Sequence, residues 1–392
     1  VAAADYPAER VLADLNEEQL AAVTHAQGPL LIVAGAGTGK TAAITRRIAW
    51  LIAARRARPS EILALTFTDK AAAEMEERVD LLVPYGYTDI VISTFHAFGD
   101  RVLREHALDL GLVPDFRVLS RAEQVLFLRD RLFELPLDYY RPLGDPTRYV
   151  EALIALFSRA KDEDVAPQEY RAYAETLARA AAAHPEDGEL RDAARQQAEL
   201  ARTYETYQAL LAREGLVDFG DQITLPLRLF RERPAILRKY QERFTYILVD
   251  EFQDTNYTQF QLVRLLAGDR HNITVVGDDD QAIFKFRGAS ISNILGFTAA
   301  YPDAVQIVLT RNYRSSQPIL DAAYRLIRHN DPDRLEVRNQ IVKRLTAVAP
   351  AGKAVQHLHF DTLSSEADGV AALIAEGVEA GAYRYKDFAI LV

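Results

Sequence analysis

The segment Leu30-Leu31-Ile32-Val33-Ala34-Gly35-Ala36-Gly37-Thr38-Gly39-Lys40-Thr41 constrains the fold of this chain more than any other. Apolar β-formers run straight into a loop of small residues, and a helix-forming stretch follows from Ala42. Strand, glycine loop and helix in that order form a phosphate cradle. The open N–H groups at the helix start face an anion, and small residues let the backbone wrap it closely. Lys40 stands where an ammonium reaches β- and γ-phosphate oxygens, and Thr41 where a hydroxyl meets Mg²⁺. Ala34 occupies the place of the first glycine in the strict pattern.

The rest of the chain repeats the alternation of short apolar runs with amphipathic stretches that marks an α/β protein. Strands are expected at Leu30 to Ala34, Ile62 to Phe67, Ile90 to Thr94, Tyr246 to Asp250, Ile273 to Gly277, Val305 to Leu309, Val355 to Phe360 and Phe388 to Val392, with a helix from Pro318 to His329. Between Thr94 and Tyr246 lie about 150 residues without a convincing strand, far more than a parallel crossover needs. An inserted all-helical subdomain is therefore expected there, built from segments such as Leu190 to Arg213. No internal repeat or low-complexity tract interrupts this pattern.

Two further strand ends carry polar chemistry. Ile247-Leu248-Val249 ends in Asp250-Glu251, which places one carboxylate beside the loop to hold Mg²⁺ through water and a second to orient or deprotonate the attacking water. Val275-Val276-Gly277 ends in Asp278-Asp279-Asp280-Gln281, and Gln281 can contact a γ-phosphate or its water. The run Ala282-Ile283-Phe284-Lys285-Phe286-Arg287-Gly288 then interleaves aromatics with cations, as stacking on unpaired bases requires, although phenylalanine taken alone is more often a core residue. Trp50 and Met75 sit at helical spacing and read as packing residues, and Glu74 and Glu76 as a solvated helix face.

Composition narrows the chemistry. Across 392 residues there is no cysteine, which excludes disulfides, thiolate metal sites and a cysteine nucleophile, and the eight histidines are scattered. Any metal must be held by oxygen. A net charge of −10 repels nucleic acid at long range, so such a partner needs a local basic groove. No apolar run is long enough to span a bilayer and no signal pattern opens the chain, so a cytoplasmic protein without a membrane role is expected.

Taken together, these motifs and their order resemble the UvrD/Rep/PcrA family of superfamily 1 DNA helicases. Leu15 to Gln19 with Ala22-Val23 is similar to its Q motif, Ala34 to Thr41 to motif I, Leu65 to Met75 to motif Ia, and Ser93 to His96 to its Thr-Phe-His motif. Asp250 to Asn256 resembles motif II, Gly277 to Ala289 motif III and Asn312 to Ser315 motif IV. The resemblance implies that ATP is held by Gln19, by the loop from Ala34 through Gly35, Ala36, Gly37, Thr38 and Gly39 to Lys40 and Thr41, and by Arg287, Tyr313 and Arg314. Gln19 would read adenine, Tyr313 would stack on it, and Arg314 would meet the γ-phosphate. Catalysis would fall to Lys40, Asp250, Glu251, Gln281 and Arg314, with Mg²⁺ on Thr41 and Asp250. Single-stranded DNA would be contacted by Thr66, Phe67, Thr94, Phe95, His96, Phe284 and Phe286. Duplex/single-strand junctions and 3′ to 5′ polarity come with the family. Three positions depart from its pattern: Asp69 replaces the usual asparagine of motif Ia, Phe252 a common tyrosine, and Phe284 and Phe286 a tyrosine and a tryptophan.

The fold so implied is a P-loop NTPase of RecA-like type. A first motor domain (1A) would comprise residues 1–110 and 216–288, interrupted by a helical insertion (1B) over 111–215, and residues 289–392 would begin a second motor domain (2A). The opening at Val1, the apolar last residues and the lack of counterparts to motifs V and VI and the 2B insertion lead us to expect a piece of a longer, truncated motor, impaired in hydrolysis and unwinding. The activity expected of the whole is ATP-dependent translocation on single-stranded DNA in repair, replication or recombination. Two other readings stay open: a P-loop ATPase of another class, marked by DNA-independent turnover, and a non-catalytic ATP- and DNA-binding module, marked by binding without turnover.

Overall fold

The structure, a computed structural model, describes residues 8–83, 89–283 and 291–391. Its strands are β1 (Leu30–Ala34), β2 (Ile62–Thr66), β3 (Val91–Thr94), β4 (Arg117–Leu119), β5 (Leu216–Asp218), β6 (Tyr246–Val249), β7 (Ile273–Gly277) and β8 (Val305–Leu309), with two two-residue bridges at Arg311–Asn312 and Thr346–Ala347. Six of them make one all-parallel sheet in the order β3-β2-β6-β7-β1-β8.

Strands covered by helices on both faces must be apolar at every position, and β1, β2, β6 and β7 are buried along their whole length. Successive side chains point to opposite faces. Leu31, Val33, Leu63, Leu65, Val249 and Val275 therefore join the helices Phe95–Glu105, Asp221–Glu232 and Tyr257–Ala267 in one core. Leu30, Ile32, Ala34, Ile62, Ala64 and Leu248 join the helices Lys40–Ala53 and Asp69–Leu82 in the other. Trp50 and Met75 are both buried in that second core, as their helical spacing suggested.

The insertion has a core of its own, in which Phe157 stacks between Tyr204 and Tyr207 at centroid distances of 5.0 and 5.2 Å. It is mostly helical, with Val150–Asp162, Pro167–Ala183 and Gly188–Arg213 its longest helices. The interval expected to be without strands nevertheless contains β4 and β5, which pair in parallel and tie the entry of the insertion to its exit. Strands of three residues are too short for a period to register in sequence. Below this ladder the buried Lys161 places its Nζ 2.7 Å from Asp218 Oδ2 and 2.8 Å from Asp221 Oδ1. The neighbouring Asp162 Oδ1 accepts the side-chain amide of Asn256 at 2.7 Å.

Further differences from expectation lie toward the C-terminus. Val355 to Phe360 and Phe388 to Leu391 form no strand, because a strand exists only through its ladder and among the described residues nothing pairs with either. The expected helix from Pro318 is present as Gln317–Ile327 with the proline in its first turn, where its missing N–H costs nothing. β8 lies beyond the expected boundary at 288/289 yet pairs with β1 over five residues, Leu30↔Val305 to Ala34↔Leu309, so the first sheet extends through Leu309. Among the described residues no helix is long and apolar enough to cross a membrane.

Candidate nucleotide cleft and nucleic-acid groove

The chain leaves β1 toward β2 on one side, while β8 flanks β1 on the other, so the loop after β1 stands at a switch point of the sheet, where open α/β folds bind ligands. Val33 is in register with Gly277, and Val249 with Val275, which brings the ends of β1, β6 and β7 to one edge. The loop is shaped by left-handed backbone at Gly37 (φ +81°) and Gly39 (φ +91°) and by Thr38 Oγ1 donating to the Gly35 carbonyl at 2.8 Å. A Cβ on Gly37 would stand 2.6 Å from Arg314 Cβ, so the close approach of these two segments requires glycine.

The ammonium of Lys40 donates to Glu251 Oε2 at 2.7 Å and to Gln281 Oε1 at 3.1 Å. The same Glu251 oxygen accepts from Gln253 Nε2 at 2.8 Å, and Gln253 Oε1 in turn accepts the Asp278 N–H at 3.0 Å, so one glutamine joins the two acidic strand ends. Glu251 holds a left-handed backbone (φ +48°), uncommon for a residue with a Cβ and typical of over-determined functional turns.

Asp250 is buried, and its one hydrogen-bond donor among the described residues is the N–H of Glu251 at 3.0 Å. Burial, reinforced by the Glu251 charge and only partly countered by Lys40, pushes its carboxyl up to about 6. Asp250 stands next in sequence to Glu251, which lines the cleft with Thr41, and a carboxylate and a hydroxyl are oxygen donors of the kind a hard cation such as Mg²⁺ takes.

The cleft has a volume of about 660 Å³ and is lined by Gln19, Gly37, Gly39, Lys40, Thr41, Glu251, Gln281, Tyr313 and Arg314 among others. Gln19 closes a capping box with Asn16 and donates to the Thr38 carbonyl at 3.1 Å, and Asn16 Nδ2 donates to the Tyr313 hydroxyl at 2.9 Å. Asn312, which sequence reading gave no role of its own, donates to the Ala36 carbonyl at 2.6 Å and accepts the N–H groups of Arg314 and Ser315 at 3.0 and 2.7 Å. Of the residues expected to hold nucleotide, Gln19, Ala36, Gly37, Gly39, Lys40, Thr41, Tyr313 and Arg314 line this cleft, Ala34, Gly35 and Thr38 do not, and Arg287 lies outside the described residues together with Phe284 and Phe286.

The expected DNA residues divide. Phe67 and His96 line a second, smaller groove of about 230 Å³, and His96 meets the half-exposed Phe219 edge to face at 5.6 Å. Burial holds the imidazole below its ordinary pKa despite Asp69, so it is neutral at pH 7. Phe219 was missed by sequence reading; its only signal was an aromatic directly after the short segment Leu216-Val217-Asp218. Thr66 and Thr94 are buried, and Thr94 Oγ1 caps the following helix through the Ala97 N–H at 3.2 Å. Phe95 is corrected: it is 2 % exposed and packs in the sheet core, because the first residue of that helix faces inward, so its ring offers no face to a base. Asp69 is exposed and opens the helix Asp69–Leu82, where a carboxylate favours the dipole.

A parallel sheet carrying this glycine loop at its switch point, with two acidic strand ends beside it, defines a P-loop nucleotide-binding protein of RecA-like fold. The chain belongs to the UvrD/Rep helicase family: residues 15–302 match the UvrD/REP helicase N-terminal domain, and residues 307–392 the UvrD-like helicase C-terminal domain. It is similar to the ATP-dependent DNA helicase PcrA of Leuconostoc citreum, 38% identical over 378 residues that make up 96% of this chain and 46% of that protein. The PcrA proteins of Bacillus subtilis and Staphylococcus aureus are 37% and 36% identical over 99% and 97% of this chain, and 48% of each relative is covered. The chain thus spans about half the length of the curated relatives it matches.

Proposed function

We propose that the chain is the ATP-binding part of a Mg²⁺- and ATP-dependent single-stranded DNA translocase and helicase of 3′ to 5′ polarity, acting at duplex/single-strand junctions in repair, replication or recombination, in the cytoplasm. The observation that carries this reading is the meeting of Lys40 with Glu251 and Gln281 at the mouth of a cleft whose far wall is Tyr313 and Arg314. Lys40 would bind the β- and γ-phosphates, Glu251 would orient and deprotonate water, and Gln281 would register the γ-phosphate. Tyr313 and Gln19 would hold the base, and Arg314 would neutralise charge on the phosphoryl group as it transfers. Mg²⁺ on Asp250 and Thr41 would withdraw charge from the phosphate oxygens. Domains 1A, 1B and the start of 2A follow the division given above, with the first sheet extended through β8.

Phe67, His96 and Phe219 are proposed as a stacking surface for unpaired bases, a role also proposed for Phe284 and Phe286, which lie outside the described residues. The test is ATP turnover with and without single-stranded DNA, on this chain and on the protein that contains it, beside Lys40→Ala. DNA-stimulated turnover lost in Lys40→Ala supports the reading; turnover indifferent to DNA replaces it with a P-loop ATPase of another class.

A further inference from the structure

Next to the cleft, the carboxylates of Asp278, Asp279 and Asp280 bring oxygens within 4.8 Å of one another, a spacing at which a divalent cation could be held. The centre is taken by a lysine instead. Lys343 Nζ lies 2.6 Å from Asp278 Oδ1 and 2.8 Å from Asp280 Oδ2, and it also meets Asp279. Burial by itself lowers the pKa of this ammonium, but the three carboxylates outweigh it and hold Lys343 above the ordinary lysine value. Arg334 independently grips both oxygens of Asp280 at 2.7 Å.

The second oxygen of Asp278 faces the cleft. Asp278 Oδ2 accepts from Gln281 Nε2 at 2.8 Å, and Gln281 Oε1 accepts from Lys40 Nζ at 3.1 Å. An ionised carboxylate can only accept, so Asp278 forces the NH₂ end of the Gln281 amide toward itself and the carbonyl end toward Lys40. Lys343, Asp278, Gln281 and Lys40 form one unbroken chain of side-chain contacts. It leads from the segment after the helix Gln317–Ile327 to the phosphate-binding lysine.

We propose that Lys343 is a positioning residue for the nucleotide step: by holding Asp278 it keeps the Gln281 carbonyl turned to Lys40, which aims that ammonium at the γ-phosphate, and thereby couples the segment from Arg334 to Leu345 to the presence of that phosphate. This rests on the nucleotide reading of the cleft. Coupling is reciprocal, so a γ-phosphate that draws Lys40 from Gln281 alters the hold on Lys343 in turn. Leu345, two residues on, lies against Gly35 of the loop.

The experiment measures binding of ADP and of a non-hydrolysable ATP analogue to this chain in Mg²⁺. Wild type is expected to prefer the analogue. Lys343→Gln and Asp278→Ala are each expected to cut that preference about tenfold while leaving ADP affinity unchanged. Arg334→Gln removes an equally buried cation from the same cluster but not from the chain; it is expected to lower thermal stability and keep the preference. In a Gln281→Ala background, Lys343→Gln is expected to change the preference no further.

An unaltered preference in Lys343→Gln, an equal loss for both nucleotides, or the same change in Arg334→Gln overturns the proposal alone. Should Lys343→Gln not fold, Asp278→Ala decides by the same criteria, since it leaves Lys343 with two carboxylates. A wild-type chain that binds neither nucleotide overturns the nucleotide reading and this proposal together, whereas one that binds both equally overturns only the proposal.

Discussion

Lys40 Nζ and Glu251 Oε2 are 2.7 Å apart, so the proposed phosphate-binding cation and the proposed base are paired with each other. On the proposed reading, phosphate that attracts Lys40 would release the Glu251 oxygen to accept from a water, which would link binding to activation through one shared ion.

Glu251→Gln is accordingly expected to leave nucleotide affinity within about threefold of wild type, since Lys40 loses a competitor rather than a ligand, while hydrolysis by the whole protein falls by about 10²-fold or more. Equilibrium binding and single-turnover hydrolysis check the two halves. Lys40→Ala is expected to lose nucleotide binding itself.

Gly37→Ala is expected to lower thermal stability and nucleotide affinity together. The left-handed backbone costs a residue with a Cβ about 1–2 kcal/mol, and the new methyl meets Arg314. Differential scanning fluorimetry with and without nucleotide reads both effects.

Phe219→Ala is expected to weaken single-strand binding by about 1–3 kcal/mol, with little sequence preference and a steep dependence on salt. Phe95→Ala is expected to cost about 3–5 kcal/mol of folding stability, through a cavity in the sheet core. Fluorescence anisotropy and urea denaturation separate the surface ring from the buried one.

Asp162 gives a pH signature. Burial pushes its carboxyl up to about 6, only partly offset by the Asn256 amide and Arg159. The folded chain therefore keeps this proton where the unfolded chain has released it, so its contribution makes stability fall as pH rises from about 4 to 6 and stay low above. Asp162→Asn is expected to flatten that slope and to be more stable at pH 7 by about 1–3 kcal/mol. Asp250 and Asp254, also near 6, are common to both proteins, so the difference between their urea midpoints across this range isolates Asp162.

What could be read from sequence was what is local. β1, β2, β6 and β7 announce themselves because strands buried on both faces are apolar without interruption, and the loop at Gly35 to Thr41 because its chemistry lies within one turn of chain. Contacts made across long separations were illegible. Nothing in the spacing of Lys161 and Asp218, or of Asp278 and Lys343, says that they meet. Phe95 was misplaced for a related reason: its family motif marks the position, but which way a ring points is decided by the turn from β3 into a helix, and here that turn sends it inward.

The root of the insertion has mechanical meaning. Entry and exit strands are laced together, and Lys161 with its two aspartates is sealed beneath them. Breaking a buried charge pair costs about 3–5 kcal/mol, several times thermal energy, so these contacts resist any swing that would part Lys161 from its aspartates. On the proposed motor reading, a displacement at the nucleotide edge of the sheet would be carried through this joint to the helices Pro167–Ala183 and Gly188–Arg213, and the insertion would act as a stiff lever arm.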